Sequence, residues 1–146
     1  MRKDVYTVRF AVDSEGPAIR DLLVENGMNR DYAHALDWSK VAPFWIVAEH
    51  LGRIVGCAQM GYSLPVWWIE HCVTSLDLTD RQKAEIYKSC AEAAVAWGEN
   101  QGASAVKGFV RFSKRPIKKA LKRRGFEVLA QGNLMSKVLR KVNHVS

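Results

Sequence analysis

The sequence predicts a single α/β domain, of the α+β kind, in which a mixed and mostly antiparallel sheet of about six to seven strands is flanked by about four helices. Three observations lead to this fold class. The chain has 146 residues, of which 48% are hydrophobic, and this matches one domain with one core. Strand-like and helix-like patterns alternate along residues 1–146. No internal repeat, low-complexity tract or linker interrupts them, so we expect all elements to share that core.

The first part of the chain predicts one strand and two helices. Residues 5–10 are rich in β-branched and aromatic side chains, which favour a strand. Asp13 or Ser14 then supplies a cap for the first helix, and Gly27 is suited to end it. A second helical stretch is predicted over residues 32–40.

The middle of the chain predicts a meander of three strands and then the longest helix. Residues 44–49 and 53–62 are apolar, β-prone runs, and the connection between them is short enough for an antiparallel hairpin. A third run covers residues 66–76. Over residues 79–102 apolar side chains recur every three or four positions and alanine is abundant, which indicates a helix.

The last part predicts a strand over residues 104–112, a helix over 114–124 and two short strands over 126–139, broken at Gly132 and Asn133. The predicted order of elements is therefore β-α-α-β-β-β-α-β-α-β-β.

Composition excludes several classes of protein. A charged fraction of 25% argues against disorder, and the apolar runs are too short for a membrane span. The N-terminus lacks the apolar stretch of a secretory signal, so we expect a cytoplasmic protein that does not contact membranes. Neither the three cysteines nor the four histidines have metal-ligand spacing, and we expect reduced thiols and no metal. A net charge of +7 indicates an anionic partner: nucleic acid, an acidic protein surface or a phosphorylated cofactor.

The order of elements, with one long alanine-rich helix directly after a three-stranded meander, resembles the GNAT N-acetyltransferase superfamily over nearly the whole chain. Local support comes from residues 114–126, a helix after a strand that ends in Gly125 and Phe126. The resemblance implies a GNAT-like domain over residues 1–146. It also implies an enzyme that transfers an acetyl group from acetyl-CoA, its co-substrate, directly to an amine of an unidentified small molecule or protein.

The cofactor loop departs from the pattern of the family. The family holds the pyrophosphate with a Gly-rich turn, whose backbone N–H groups face the phosphates at a helix N-terminus. Here residues 79–84 stand at that position and contain no glycine. Arg81 and Lys83 occupy the glycine positions in one register, and Gln82 and Ala84 occupy them in the next.

Two interpretations of this loop stay open. In the first, Thr79 and Gln82 form a capping box that only starts a solvated helix. In the second, Arg81 and Lys83 add positive charge that replaces the closer backbone approach to phosphate. The resemblance then implies a cofactor site formed by Cys72, Val73, Thr79, Asp80, Arg81, Gln82, Lys83, Ala84, Ser113 and Lys114.

Acetyl transfer to an amine needs a base, an oxyanion donor and an acid for the leaving thiolate. In the family a glutamate on the strand before the long helix often serves as the base, and Glu70 matches it. An exposed carboxylate or an ion-pair partner is the other interpretation of Glu70. The neighbouring His71 is expected to point to the opposite face if the strand is regular. Leu121 stands where the family places its general-acid tyrosine, so the thiolate lacks an obvious proton donor.

The helix over residues 114–124 carries basic side chains along one side. The resemblance places its start, at Ser113 and Lys114, near the phosphates of CoA. The remaining stripe is either a solvated face or a contact for nucleic acid, which we rank below the cofactor because no exposed aromatic residues lie nearby.

The second hypothesis is a catalytically inactive GNAT-like binding or structural protein that uses this basic face. The chain resembles some small phage-encoded GNAT-like proteins in its size and altered loop. One of the adjacent rings of Trp67 and Trp68 is expected to face outward, where it could line an acceptor pocket or a homodimer contact. We favour packing or a homodimer contact over substrate binding.

Overall fold

The computed structural model describes residues 6–63, 65–109, 115–129 and 136–139. These residues form β1 (Thr7–Phe10), α1 (Gly16–Glu25), α2 (Arg30–Ala35), β2 (Trp45–His50), β3 (Arg53–Ser63), β4 (Val66–Thr74), α3 (Asp80–Asn100), β5 (Ala105–Gly108) and α4 (Arg115–Lys122). A short 3-10 turn, Asp13–Glu15, leads into α1. The order of elements agrees with the predicted order as far as α4.

The strands form one mixed sheet with the order β1-β2-β3-β4-β5. The first four strands are antiparallel neighbours, and β5 pairs in parallel with β4 after the α3 crossover. A mixed, mostly antiparallel sheet is therefore confirmed. The predicted hairpin between β2 and β3 is also confirmed, and its turn residues Leu51 and Gly52 both have positive φ, as in a type I′ turn.

The strand count of six to seven was an overestimate for the described residues, which contain five strands. The difference lies in the hairpin predicted over residues 126–139. Residues 126–129 and 136–139 form no strand, and residues 130–135 lie outside the described residues. Phe126 instead completes the end of α4, because its N–H donates to the carbonyl of Leu121 at 3.1 Å.

The helix end before Phe126 is a Schellman motif. The N–H of Gly125 donates to the carbonyl of Lys122 at 3.1 Å, alongside the Phe126 bond. Gly125 has a φ of 88°, which is the left-handed conformation that glycine adopts most easily. The Gly-Phe pair therefore ends α4 as the sequence predicted.

α2 is shorter than the helix predicted over residues 32–40. The carboxylate of Asp37 accepts the backbone N–H of Ser39 at 2.9 Å, which stabilises a turn in place of a further helical turn. The indole N–H of Trp38 donates to the carbonyl of Ala33 at 2.7 Å and folds the segment back onto the helix.

The hydrophobic core occupies both faces of the sheet. Successive residues of a strand point to opposite faces, so Trp45 and Ile46 belong to different clusters. On one face, α1 packs against the sheet through Ile19, Leu22, Leu23, Trp45, Val47, Cys57 and Val73. On the other face, α3 packs through Ile46, Ala48, Ala58, Met60, Trp67, Ile69, Ile86, Cys90 and Ala94. The molecule thus has three layers.

Trp67 and Trp68 alternate across the sheet as predicted. Trp67 is buried on the α3 face, where the exposed ring of Tyr62 stacks on it with 5.4 Å between centroids. Trp68 lies over Gly61, since a Cβ atom there would be 2.1 Å from its ring. The Trp68 ring therefore packs on the backbone of Gly61, its partner on β3.

Close packing at Gly56 fixes the distance between α3 and the sheet. A Cβ atom on Gly56 would lie 2.8 Å from Cγ2 of Ile86 and 3.3 Å from the carbonyl oxygen of Val73. Ile86 is fully buried and the second contact is backbone, so neither can move away easily. The absence of a side chain at residue 56 thereby lets α3 lie close to β3.

We predict that Gly56→Ala destabilises the protein by about 1–3 kcal/mol through overpacking, measured by urea and thermal unfolding. The matched control is Ala96→Ser on the exposed side of α3, which should change stability by less than about 0.5 kcal/mol. Equal stability of Gly56→Ala and the wild type would contradict the close approach of α3.

Candidate functional site

β4 and β5 pair only along part of β4. The parallel register runs from Val66 opposite Ala105 to Ile69 opposite Gly108. β4 continues to Thr74, whereas β5 ends at Gly108. The edge of β4 over residues 70–74 is therefore not covered by β5. Open α/β sheets bind ligands in crevices outside the carboxyl ends of their strands, and this edge is such a position.

A β-bulge interrupts β4 directly beside this edge. Cys57 of β3 is opposite Val73, but Gln59 is opposite Glu70, so two residues of β4 face the single Ala58. One of these two residues, His71, has a φ of 51°. This left-handed conformation costs a residue with a side chain about 1–2 kcal/mol. The bulge thus holds His71 in a strained backbone conformation.

The bulge changes the predicted orientation of His71, because the strand is not regular at this point. Trp45, Gln59 and Glu70 are aligned on three neighbouring strands, and residues in register share one face of the sheet. The ring of His71 lies on the same face, with its centroid 6.3 Å from that of Trp45 and 18° between the ring planes. Glu70 and His71 are therefore adjacent on the α1 face.

Cys72 and Val73 are both predicted to contact the cofactor. Cys72 is the second residue of the bulge, and Val73 follows it directly. Val73 is buried in the α1 layer, and the half-buried Cys72 packs toward α3 and α4. Their backbone lies on the part of β4 that β5 leaves uncovered. The carbonyl of Thr74, the last residue of β4, accepts a hydrogen bond from the Asn26 side chain at 2.8 Å. The end of α1 therefore closes one end of this edge.

α3 begins a few residues after β4, with the capping box that the sequence predicted. The hydroxyl of Thr79 accepts the N–H of Gln82 at 3.2 Å, and the Gln82 side chain accepts the N–H of Thr79 at 2.9 Å. These bonds satisfy two N–H groups of the helix start. The N–H groups of Asp80 and Arg81 have no acceptor within the helix, because the first turn has no preceding carbonyls. These two N–H groups can therefore donate hydrogen bonds to a bound anion.

The charges around the start of α3 nearly balance. Arg81 is exposed and Lys83 is half-buried, whereas Ala84 adds no charge. The exposed Asp80 opposes them, and the Glu25 carboxylate accepts the N–H of Leu76 at 3.3 Å nearby. An anion would thus depend on both basic side chains and on the helix dipole.

Asp77, in the loop before α3, is held by Arg53. Both terminal nitrogens of this guanidinium lie 3.1 Å from the carboxylate. Arg53 holds the pKa of Asp77 below its ordinary value, with a second hydrogen bond from Ser75. Because Arg53 neutralises it, Asp77 adds no net charge at the start of α3.

Leu121 of α4 packs in the same buried cluster as Tyr87 of α3. Both residues belong to one buried cluster with Ala91 and Ala120. The Tyr87 hydroxyl lies 3.3 Å from that of Thr74, and burial raises the pKa of Tyr87. The predicted site residues Ser113 and Lys114 lie outside the described residues.

Sequence reasoning missed the proximity of His71 to Glu70 and the hydroxyl of Tyr87. No glycine or proline occurs between residues 66 and 74, so no local signal marks the bulge. Tyr87 fits the apolar periodicity of α3, and its hydroxyl gives no separate signal in the sequence.

The part of the chain that the structure describes contains neither a metal-ligand cluster nor a membrane-spanning helix. No group of three or more His, Cys, Asp or Glu side chains there could hold a metal ion. No described helix is long and apolar enough to cross a membrane. Cys57, Cys72 and Cys90 are reduced thiols, and burial raises the pKa of Cys57.

Solved structures share this architecture at low sequence identity. The aminoglycoside N-acetyltransferase AAC(6')-Iy in complex with CoA matches with a TM-score of 0.67 and 19% identity, over 93% of this chain and 97% of that one. A ribosomal-protein-alanine N-acetyltransferase from Brucella melitensis biovar Abortus 2308 matches with a TM-score of 0.67 and 16% identity, over 91% and 100%. A transcriptional regulator from Bacillus halodurans C-125 matches with a TM-score of 0.68 and 15% identity, over 91% and 100%.

No protein-family profile and no curated protein sequence matches the chain. Two of the structures above carry N-acetyltransferase names, as does diaminobutyrate acetyltransferase EctA from Paenibacillus lautus. The likeness establishes that the chain has the GNAT fold, as the order of its elements predicted.

We predict that Thr79→Ala destabilises the protein by about 0.5–2 kcal/mol, because α3 loses its N-cap acceptor. Thr79→Ser, which keeps the hydroxyl, should retain most of the stability. Chemical unfolding of both variants measures the difference. If both variants have the same stability as each other, the capping box does not stabilise α3.

Proposed function

We propose that this chain is an acetyl-CoA-dependent N-acetyltransferase that transfers an acetyl group to the amine of a small molecule or protein. The observation that carries the proposal is the bulged edge of β4, which β5 leaves uncovered and which leads to the start of α3. Binding of CoA by a protein of the same fold supports it. The edge offers backbone groups to an extended ligand, and the helix start offers N–H groups to a phosphate.

In this proposal the pantetheine arm lies along β4 as an added strand, next to Cys72 and Val73. The pyrophosphate lies at the start of α3, against the N–H groups of Asp80 and Arg81 and the side chain of Lys83. The Gln82 side chain caps part of this helix start, so we expect weaker binding than in a Gly-rich loop. The complete proposed cofactor site is Cys72, Val73, Thr79, Asp80, Arg81, Gln82, Lys83, Ala84, Ser113 and Lys114.

The acetyl group then lies near the bulge, where the chemistry of amine attack is available. Glu70 accepts a proton from the acceptor ammonium, which makes the nitrogen nucleophilic. Positioning of the two substrates supplies the rest of the rate.

The proposed acceptor is a primary amine. The structural neighbours are named for three different amines: an aminoglycoside, a ribosomal-protein alanine and L-2,4-diaminobutyric acid. The acceptor screen therefore uses neamine, an alanine-terminated peptide and L-2,4-diaminobutyric acid, and it measures release of the CoA thiol.

We predict that millimolar acetyl-CoA raises the melting temperature of the wild-type chain by several degrees. A ligand at one hundred times its dissociation constant stabilises the folded state by about 2.7 kcal/mol. Arg81→Glu and Lys83→Glu should abolish the rise, because each reverses a charge at the start of α3.

Lys88→Glu is the matched control, since it reverses an exposed charge further along α3. It should keep the rise in melting temperature. A wild-type chain that is not stabilised by acetyl-CoA would contradict the proposed function.

We predict that Glu70→Gln lowers kcat by about 100-fold or more while the KM for acetyl-CoA stays unchanged, because the variant loses a base but not the cofactor site. Steady-state rates with an acceptor from the screen provide the measurement. Glu99→Gln, at the exposed far end of α3, should have the wild-type rate. A fully active Glu70→Gln variant would exclude Glu70 as the base.

The second candidate function is a catalytically inactive binding protein with a basic working surface. Its support is the exposed side chains of Lys119, Lys122 and Arg123 at the end of α4. Arg124 is not part of this surface, because it donates to Glu92 at 2.6 Å. Salt-dependent binding of DNA, together with no stabilisation by acetyl-CoA, would favour this candidate.

A further inference from the structure

The half-buried imidazole of His71 stands at the most strained position that the described part of β4 contains. Leu51 has the same φ of 51°, but it belongs to a hairpin turn in which positive φ is normal. His71 lies within a strand, where a positive φ interrupts the regular hydrogen bonding between strands. Strained residues of this kind cluster at active sites. The ring is fixed beside Trp45 on the face that also carries Glu70.

Acetyl transfer from a thioester to an ammonium moves two protons from nitrogen. Glu70 in the proposed function accounts for the first proton. The second leaves when the new bond forms, and the departing sulfur must gain one. Leu121 has no proton to give, and the hydroxyl of Tyr87, in the same buried cluster, lies beside the hydroxyl of Thr74. A group at the bulge, close to both the nitrogen and the sulfur, can complete the transfer.

We propose that His71 is a further catalytic residue, which carries the second proton from the attacking nitrogen to the leaving sulfur. This inference rests on the proposed function. Imidazole suits the role because it has one accepting and one donating nitrogen and an ordinary pKa close to neutral. The Trp45 ring lies nearly parallel to the imidazole, with 6.3 Å between centroids, on the same face of β4.

The neutral amine nitrogen forms a bond to the acetyl carbonyl carbon, and the π electron pair moves to oxygen. The imidazole takes a proton from that nitrogen. The carbonyl re-forms, the carbon–sulfur bond breaks with its electron pair on sulfur, and the imidazolium gives its proton to sulfur. The products are the amide and the CoA thiol, and Glu70 returns its proton to solvent.

The test compares His71→Gly with His71→Asn. Glycine adopts the left-handed conformation without strain and asparagine tolerates it well, so both variants should fold, which thermal unfolding checks. We expect kcat to fall by about 100-fold in both, with the KM for acetyl-CoA and the shift in melting temperature unchanged. Free imidazole should raise the rate of His71→Gly by about tenfold or more, because it can enter the vacated space beside Trp45.

Pyrrole is the matched control, since it has the shape of imidazole but no basic nitrogen. Rescue by imidazole and not by pyrrole supports the proposal. Equal rescue by both rings, or no rescue, would show that His71 only fills space and would overturn the proposal.

If His71→Gly does not fold, full activity of His71→Asn overturns the proposal and loss of kcat alone supports it. An inactive wild-type chain would instead contradict the proposed function itself, whereas an active wild type with equally active variants contradicts only this inference.

Discussion

The parallel pairing of β4 with β5 ends at Ile69 and Gly108, and the proposed chemistry depends on this ending. If the ladder continued, residues 70–74 would exchange hydrogen bonds with β5 and no ligand could lie along them. The bulge at His71 follows two residues after Ile69 and turns its side chain toward the α1 face. The close approach of α3 at Gly56 then places the helix start at the far end of the same edge. The end of the β4–β5 pairing thus leaves the β4 backbone, the Glu70 carboxylate, the His71 imidazole and the start of α3 along one edge.

In the proposed function, the start of α3 holds the pyrophosphate without glycine. A Gly-rich turn binds phosphate through bare backbone N–H groups. Here the side chains of Thr79 and Gln82 use part of that capacity, and Arg81 and Lys83 add charge in its place. Two nearby carboxylates, Asp80 and Glu25, offset this charge. Affinity for CoA should therefore depend on salt more strongly than in a loop that binds by backbone alone.

The fold was predictable because each element carries its own pattern. Alternating residues such as Trp45 and Ile46 identify strands, the spacing of Ile86, Cys90 and Ala94 identifies α3, and Gly125 marks a helix end. The capping box at Thr79 was readable for the same reason. The orientation of the His71 side chain was not predictable from the sequence. A bulge arises from the register between two strands, and no residue of β4 encodes it. The contact of Tyr87 with Thr74 likewise depends on how α3 packs on the sheet.

In the proposed function, the uncovered edge of β4 and the start of α3 together hold the CoA moiety. The most direct measurement is the titration of the ¹⁵N-labelled chain with CoA, followed through its backbone amide resonances. We expect saturable shifts for the amides of Cys72 and Val73 on the strand and of Asp80 and Arg81 on the helix. Shifts confined to the basic end of α4, or no saturable shifts, would contradict the claim and favour a binding protein without acetyltransferase activity.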